Sequence, residues 1–193
     1  MTSLAPTVQI VNDVRPTTFR WQPLRLGLCN LFHYDSEVFP FRDGRLLLRG
    51  NNGAGKSKVL ALTLPFLLDG DTSARRIEPD ADPGKRMEWN LLMGGEYTAS
   101  ERVGYSWLEF GRIDESGIEH FVTIGAGLKA AKGQTGTKSW FFITSQRVGT
   151  GFELVDANHT PLGMDRLAGE IGTNGHVYKT KRDYRHLSNN VRT

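Results

Sequence analysis

Cysteine is almost absent from this sequence, since Cys29 is the one cysteine among 193 residues. A single cysteine excludes an intrachain disulfide, and the five histidines lack metal-ligand spacing, so a zinc site is not expected. We therefore expect a reducing compartment, and the cytoplasm in particular. Cys29 falls within an apolar strand pattern, which favours a small core side chain over a reactive nucleophile.

Hydrophobic runs long enough to cross a bilayer are also missing. Residues 1–6 contain no basic segment followed by an apolar one, so we expect neither a secretory signal nor a membrane partner. Hydrophobic residues make up 38% of the chain and charged residues 23%, which places it among ordinary globular proteins with one domain and a proper core.

A glycine-rich segment at residues 50–57, here called the phosphate loop, is the strongest motif in the chain. It fits the phosphate-binding pattern G-x-x-x-x-G-K-[ST]. Its members are Gly50, Asn51, Asn52, Gly53, Ala54, Gly55, Lys56 and Ser57. The apolar run at 45–49 predicts a buried strand before the loop, and the apolar run at 59–68 predicts a buried helix after it. Strand, glycine loop and helix are the context that the pattern requires.

Each residue type in the phosphate loop has a chemical reason. Glycines permit backbone conformations that bring amide groups close to phosphate oxygens, and the first amides of the following helix attract anions. Lys56 would reach the β- and γ-phosphates, and Ser57 would complete the shell of a Mg²⁺ ion. The sequence therefore predicts binding of ATP with Mg²⁺, with a glycine-rich turn that holds no ligand as the structural alternative.

The remaining pattern predicts an α/β fold with an irregular leader at 1–19 and one domain at 20–193. Alternating apolar residues predict strands before the loop and an antiparallel meander after its helix. The meander strands are expected at 103–110, 119–124 and 138–144. Helical spacing at 162–171 and a capping pattern at 180–183 predict two late helices. We expect a mixed sheet around the phosphate-loop helix, with the meander at one side.

Positive charge is concentrated towards the C-terminal end of the chain. Residues 129–193 carry a net charge of +5 and residues 1–128 a net charge of −2. This asymmetry is compatible with a polyanion such as DNA and equally with a solvated surface. The lysine-containing loop at 129–138 has two interpretations as well, namely contact with DNA phosphates or protection of a sheet edge.

Arg75 and Arg76 lie one helix length beyond the phosphate loop, within a polar segment at 69–86 that predicts a surface loop. A loop arginine at this place could contact a phosphate or the nucleotide of a partner. A solvent-facing pair is the alternative. Both residues are therefore candidates for a phosphate or partner contact.

The catalytic parts of an ATPase are missing from the sequence. Hydrolysis requires a carboxylate after a second apolar strand to hold Mg²⁺, and a residue that positions water. The nearest match, at 152–156, is interrupted by Glu153 and followed by a turn, and no Leu-Ser-Gly-Gly type of signature is present. We therefore expect no catalytic residue in this chain, which is either a fragment or a chain completed by another.

These motifs resemble a known family. The phosphate loop is similar to the G-x-N-G-[SA]-G-K-S loop of ABC-type ATPases, and the meander after its helix resembles the N-terminal lobe of structural maintenance of chromosomes (SMC) heads. Residues 45–57, followed by 66–71, are similar to the large SMC-like subunit of bacterial Wadjet-type plasmid-defence systems. The resemblance covers most of residues 20–193.

The resemblance implies the N-terminal lobe of a P-loop ATPase head, followed in such families by a coiled coil and by a C-lobe that carries the catalytic glutamate. It implies two partners for this lobe: a C-lobe, from its own chain or from a partner, and a second ATPase head that forms a dimer around ATP. It also implies DNA and accessory subunits as partners. Arg75 or Arg76 matches the position of an arginine in SMC heads. Lys58 departs from the Asn or Thr of many SMC loops, and the glutamine that senses the γ-phosphate has no clear match.

Two other functions stay open on sequence grounds. A small-molecule or nucleoside kinase uses the same loop, although such kinases alternate strands and helices where this chain has a meander. A non-catalytic DNA-binding module could clamp a backbone phosphate with the glycine loop. Salt-sensitive DNA binding that ignores ATP would favour the second of these.

Overall fold

The structure is a computed structural model, and it describes residues 14–51, 55–77, 82 and 84–188. These residues form a mixed α/β fold built on one six-stranded sheet, in the order β2-β1-β3-β4-β5-β6. The strands are Gln22–Leu31 (β1), Tyr34–Pro40 (β2), Glu101–Ile113 (β3), Glu119–Ala131 (β4), Lys138–Thr144 (β5) and Gly175–Tyr178 (β6). Every neighbouring pair of these strands is antiparallel, and β3, β4 and β5 form the predicted meander.

Five α-helices lie within the described residues: Lys56–Asp69 (α1), Ala74–Ile77 (α2), Met87–Leu91 (α3), Met164–Ile171 (α4) and Lys181–Ser188 (α5). Helix α5 begins with the predicted cap, because the Asp183 amide donates to Thr180 Oγ1 over 3.2 Å while that hydroxyl donates to the Asp183 carboxylate over 2.7 Å. None of the helices in this part of the chain is long and apolar enough to cross a membrane.

The first face of the sheet, here called the helix face, is covered by α1, α3 and α5. Helix α1 buries Val59, Leu62 and Leu67 against it. The Ser106 hydroxyl of β3 donates to the Leu62 carbonyl over 3.0 Å, and the Tyr184 hydroxyl of α5 donates to the Leu67 carbonyl over 2.7 Å. These contacts fix the axis of α1 across the strands.

The opposite face, here called the aromatic face, is covered by α4 and by residues 152–162. Three of its rings occupy space that a glycine on the neighbouring strand leaves open: Trp107 over Gly27, Phe142 over Gly125 and Trp140 over Gly127. A methyl group on any of these glycines would come within 2.2 Å of the ring. The glycines therefore fix the register of the sheet as much as the rings do.

Cys29 lies in the core of the aromatic face, as expected from its apolar surroundings in the sequence. Burial raises the pKa of its thiol to about 11, and this effect exceeds the opposing influence of Arg102. A thiol with such a pKa carries almost no thiolate at neutral pH, and thiolate is the reactive form. The predicted place of Cys29 in the core is thus confirmed.

The expectation of a mixed sheet is wrong for the described residues, and the buried strand predicted at 45–49 is not a strand. The chain reverses at Asp43 and Gly44, which both have positive φ, and Arg42 and Arg45 exchange two backbone hydrogen bonds of 2.9 Å around them. The chain then leaves the edge strand β2, and Leu47 is 71% exposed. An apolar run predicts burial but does not specify which strand the segment pairs with. None of the described strands lies beside residues 45–49.

The helix predicted at 59–68 is confirmed, and it extends over Lys56–Asp69. Its burial is one-sided, because Leu60 and Leu68 are exposed on the side away from the sheet. The polar segment at 69–86 is not wholly a surface loop, since it contains α2, whose Ile77 is fully buried.

A buried charge cluster joins β1, β3 and the segment after β5. Glu109 is fully buried, and its carboxylate accepts two hydrogen bonds from Arg25, at 2.5 and 3.0 Å, and two from Arg147, at 2.8 and 3.2 Å. Remaining N–H groups of the arginines donate to the Val148 and Val14 carbonyls. The cluster thereby attaches Val14 to the sheet, whereas residues 1–13 of the predicted irregular leader lie outside the described residues.

We predict that Glu109→Gln lowers the free energy of unfolding by about 3–5 kcal/mol, because it leaves two buried guanidinium groups without their anion. Urea unfolding followed by circular dichroism measures this loss. Glu119→Gln is the matched control, because Glu119 pairs with Arg15 in an ion pair open to solvent, and it should cost less than about 1 kcal/mol. Equal losses for the two variants would contradict this interpretation of the cluster.

Candidate functional site

The phosphate loop lies beside the turn between β1 and β2, where α1 begins. Gly50, Asn51, Gly55, Lys56 and Ser57 belong to the described residues, whereas the predicted contacts at Asn52, Gly53 and Ala54 lie outside them. Of the described loop residues, Asn51 and Ser57 are exposed, and Lys56 is half-buried. The Ser57 hydroxyl is thus accessible from solvent at the first turn of the helix.

The backbone of the loop has conformations that favour glycine. Gly55 has a φ of +81°, and Gly50 has a φ of +156°. Residues with a side chain rarely adopt such values. At these two described positions, glycine is therefore required by conformation as well as by the motif.

The Lys56 side chain bonds back to the first two residues of the loop. Its ammonium group donates to the Gly50 carbonyl over 2.6 Å and to the Asn51 carbonyl over 2.7 Å. An ammonium group has three donors, so these bonds leave one N–H and the positive charge at the site. The side chain consequently joins the first residues of the loop to the first turn of the helix.

Helix α1 supplies further positive potential. The Val59 amide donates to the Gly55 carbonyl over 3.0 Å, which is the first bond of the helical ladder. The amides of Lys56, Ser57 and Lys58 precede that bond and belong to the group of helix donors without an intrahelical acceptor. Such amides, with the helix dipole behind them, form a favourable environment for an anion.

Tyr34, which the sequence interpretation did not single out, holds the loop from the side of the sheet. Its hydroxyl donates to the Gly55 carbonyl over 3.1 Å. Burial, with a smaller contribution from Glu37, raises the pKa of Tyr34, so the hydroxyl keeps its proton and remains a donor. The neighbouring Phe32 ring lies 5.3 Å from the Lys58 ammonium. The aromatic run at 32–34, where the structure has the turn between β1 and β2, is the signal that could have indicated this contact.

Arg75 and Arg76 lie at the other end of α1. The helix has 14 residues, so its length separates them from the phosphate loop by about 20 Å. Arg76 pairs with Asp69 over 2.5 Å and with Asp71 over 3.8 Å. Arg75 is exposed and has no ion-pair partner among the described residues. The structure therefore does not bring either arginine to the phosphate loop of its own chain.

Asp156, the carboxylate nearest to an ATPase motif in the sequence, is held by contacts of its own segment. Asp156, at the end of the nearest match to an ATPase carboxylate motif, accepts the Asn158 and Thr160 amides and pairs with Arg166 over 3.2 Å. Hydrogen bonding, from the Thr160 amide first, lowers the pKa of Asp156. Its segment packs on the aromatic face, opposite α1. Across the described ranges, no group of three or more His, Cys, Asp or Glu side chains could hold a metal ion.

No protein-family model matches this chain, and no curated protein matches it. The function must therefore be inferred from the geometry of the phosphate loop and its surroundings.

We predict that Gly55→Ala is more destabilising than Gly117→Ala, although the two glycines have nearly the same φ, +81° and +82°. A methyl group on Gly55 would lie 2.4 Å from the Tyr34 hydroxyl, whereas nothing lies within 4 Å of the corresponding position on Gly117. Displacing Tyr34 breaks its hydrogen bond, so the difference in unfolding free energy should be about 1–2 kcal/mol. Urea unfolding of both variants measures it.

The same comparison in a Tyr34→Phe background provides the control. Without the hydroxyl, the nearest ring atom is 3.5 Å from the added methyl group, which is an ordinary contact. The excess cost of Gly55→Ala should then disappear. An unchanged excess would mean that Tyr34 does not hold the loop.

Proposed function

We propose that this chain binds ATP with Mg²⁺ through residues 50–57 and forms the N-terminal half of an SMC-like ATPase head acting on DNA. The fold of this proposal is the N-lobe of a P-loop NTPase of the ABC or SMC type. The observation that carries the proposal is the closure of Lys56 onto the Gly50 and Asn51 carbonyls at the first turn of α1. This geometry directs a positive charge and the first helix amides to the same place.

The residues of the phosphate loop have distinct roles in this proposal. Lys56 holds the β- and γ-phosphates by charge, and Ser57 contributes its exposed hydroxyl to Mg²⁺. The amides of residues 51–57 contact phosphate oxygens. When bound, ATP with Mg²⁺ supplies the phosphoryl group, and this chain contributes binding and orientation.

Hydrolysis would require a second lobe, from the same protein or from a partner. Two features support such a partner beside the phosphate loop. Residues 46–49 follow an apolar sequence but pair with no described strand, and Leu47 is exposed. Leu60 and Leu68 are exposed on the outer side of α1. A C-lobe that packs there would bury these side chains and complete the sheet.

The wider assembly follows from the same proposal. Arg75 and Arg76 are about one helix length from their own loop, so a phosphate contact would be made to the nucleotide of a second head. A coiled coil, accessory subunits and a role in plasmid defence or chromosome processing rest on the resemblance of residues 45–57 to SMC-like subunits. The complete head would be an ATPase, and this chain alone would bind ATP weakly and hydrolyse little.

Replacement of Lys56 tests the site. We predict that Lys56→Ala weakens binding of a fluorescent ATP analogue with Mg²⁺ by about 100-fold, because charge-assisted contacts to two phosphates are lost. Lys58→Ala is the matched control, since this lysine lies over the Phe32 ring and should leave affinity within about threefold. Circular dichroism verifies that both variants are folded.

Retention of the analogue by Lys56→Ala at the affinity of the parent would contradict the site assignment. Phosphoryl transfer to an added nucleoside would instead identify a kinase. Salt-sensitive binding of duplex DNA that is indifferent to ATP would identify a DNA-binding module without nucleotide function.

A further inference from the structure

A cleft of about 600 Å³ opens at one end of the aromatic face, on the side of the sheet opposite α1. Val103 and Trp140 contribute its apolar floor, and Pro161 and Met164, just before and at the start of α4, contribute a wall. The volume lies within the range of small-molecule sites in proteins. We call this feature the end cleft.

The rim of the end cleft carries an excess of positive charge. Lys129, Lys138 and Lys179 all line it, and Glu101 is the one acidic residue among its described lining residues. Glu101 pairs with Lys129 over 2.8 Å. Neither Lys138 nor Lys179 has an ion-pair partner within the described residues, and both are exposed.

The register of the sheet forces two of these lysines together. Lys129 of β4 and Lys138 of β5 are direct cross-strand partners, and both occupy the side of the sheet on which Trp140 lies. Like charges in this arrangement are unfavourable. The strands cannot shift to separate them, because the Trp140 ring fills the space above Gly127. Glu101 already offsets the charge of Lys129, so Lys138 is the member of this pair that an anionic ligand would contact.

We propose that the end cleft binds an organic anion with a flat apolar body and a carboxylate, sulfonate or phosphate group. The body packs between Trp140 and Met164, and the anionic group lies between Lys138 and Lys179. The apolar floor and limited volume fit a small ligand better than a duplex, whose backbone needs an extended polar surface. This site is separate from the phosphate loop and does not depend on the function proposed above.

The probe for the test is 8-anilinonaphthalene-1-sulfonate, which has an apolar aromatic body and one sulfonate group. Fluorescence titration of the full chain should show saturable binding at one site. The variant with both Lys138→Glu and Lys179→Glu should bind at least about tenfold more weakly, because attraction becomes repulsion. Lys132→Glu is the matched control, since this exposed lysine donates to the Thr98 carbonyl outside the cleft, and it should bind like the parent.

Met164→Trp provides a second test that leaves the charges in place, because the larger side chain fills the cleft and should also abolish binding. An uncharged analogue, N-phenyl-1-naphthylamine, should bind the parent much more weakly. The proposal is overturned if the charge-reversed and filled variants bind as well as the parent, or if the uncharged analogue binds equally.

Two further outcomes would overturn it by assigning the probe or the lysines elsewhere. Displacement of the probe by ATP with Mg²⁺ in the parent but not in Lys56→Ala would place the probe at the phosphate loop. Competition by a short DNA duplex that is weakened by Lys132→Glu as much as by the cleft variants would assign the lysines to a nucleic-acid surface. Failure of ATP binding alone would leave the end cleft unaffected, so the two proposals are tested separately.

Discussion

The placement of α1 across the sheet is the constraint on which the candidate site depends. A helix leaves its last carbonyls without intrahelical partners, and α5 satisfies two of them here. The Tyr184 hydroxyl donates to the Leu67 carbonyl over 2.7 Å, and the Arg185 Nε donates to the Asp69 carbonyl over 2.5 Å. With Ser106 bonded to the middle of the helix, α1 has one position on the sheet, and its first turn lies beside the β1–β2 turn.

That position explains why an edge strand takes part in the phosphate loop. Tyr34 begins β2, the outermost strand, and its hydroxyl holds the Gly55 carbonyl while Lys56 holds the start of the loop. The two described ends of the loop are therefore restrained, Gly55 by the sheet and Gly50 by the first turn of the helix. Preorganised amides bind an anion more tightly than amides that must first be ordered.

The sheet separates two chemically different environments. The helix face is aliphatic and carries α1, whereas the aromatic face contains the large rings over glycines, a buried charge cluster and the end cleft. In the cluster, Glu109 accepts hydrogen bonds from both Arg25 and Arg147, so each of these buried charges has a partner of opposite charge. Lys138 and Lys179 of the end cleft have no ion-pair partner among the described residues. The cleft therefore suggests a ligand, whereas the buried charge cluster does not.

Local pattern in the sequence determined the helix after the glycine-rich segment, the meander and the cap of α5, because each depends on residue types at short spacing. Only the tertiary structure decided which elements meet. Glu109 lies 84 residues from Arg25 and 38 from Arg147, and Lys129 faces Lys138 through the register of two strands. The run at 45–49 is apolar enough for a strand, yet pairing needs a neighbour as well as a pattern. Sequence periodicity sets which side of an element is apolar, whereas long-range packing sets what that side contacts.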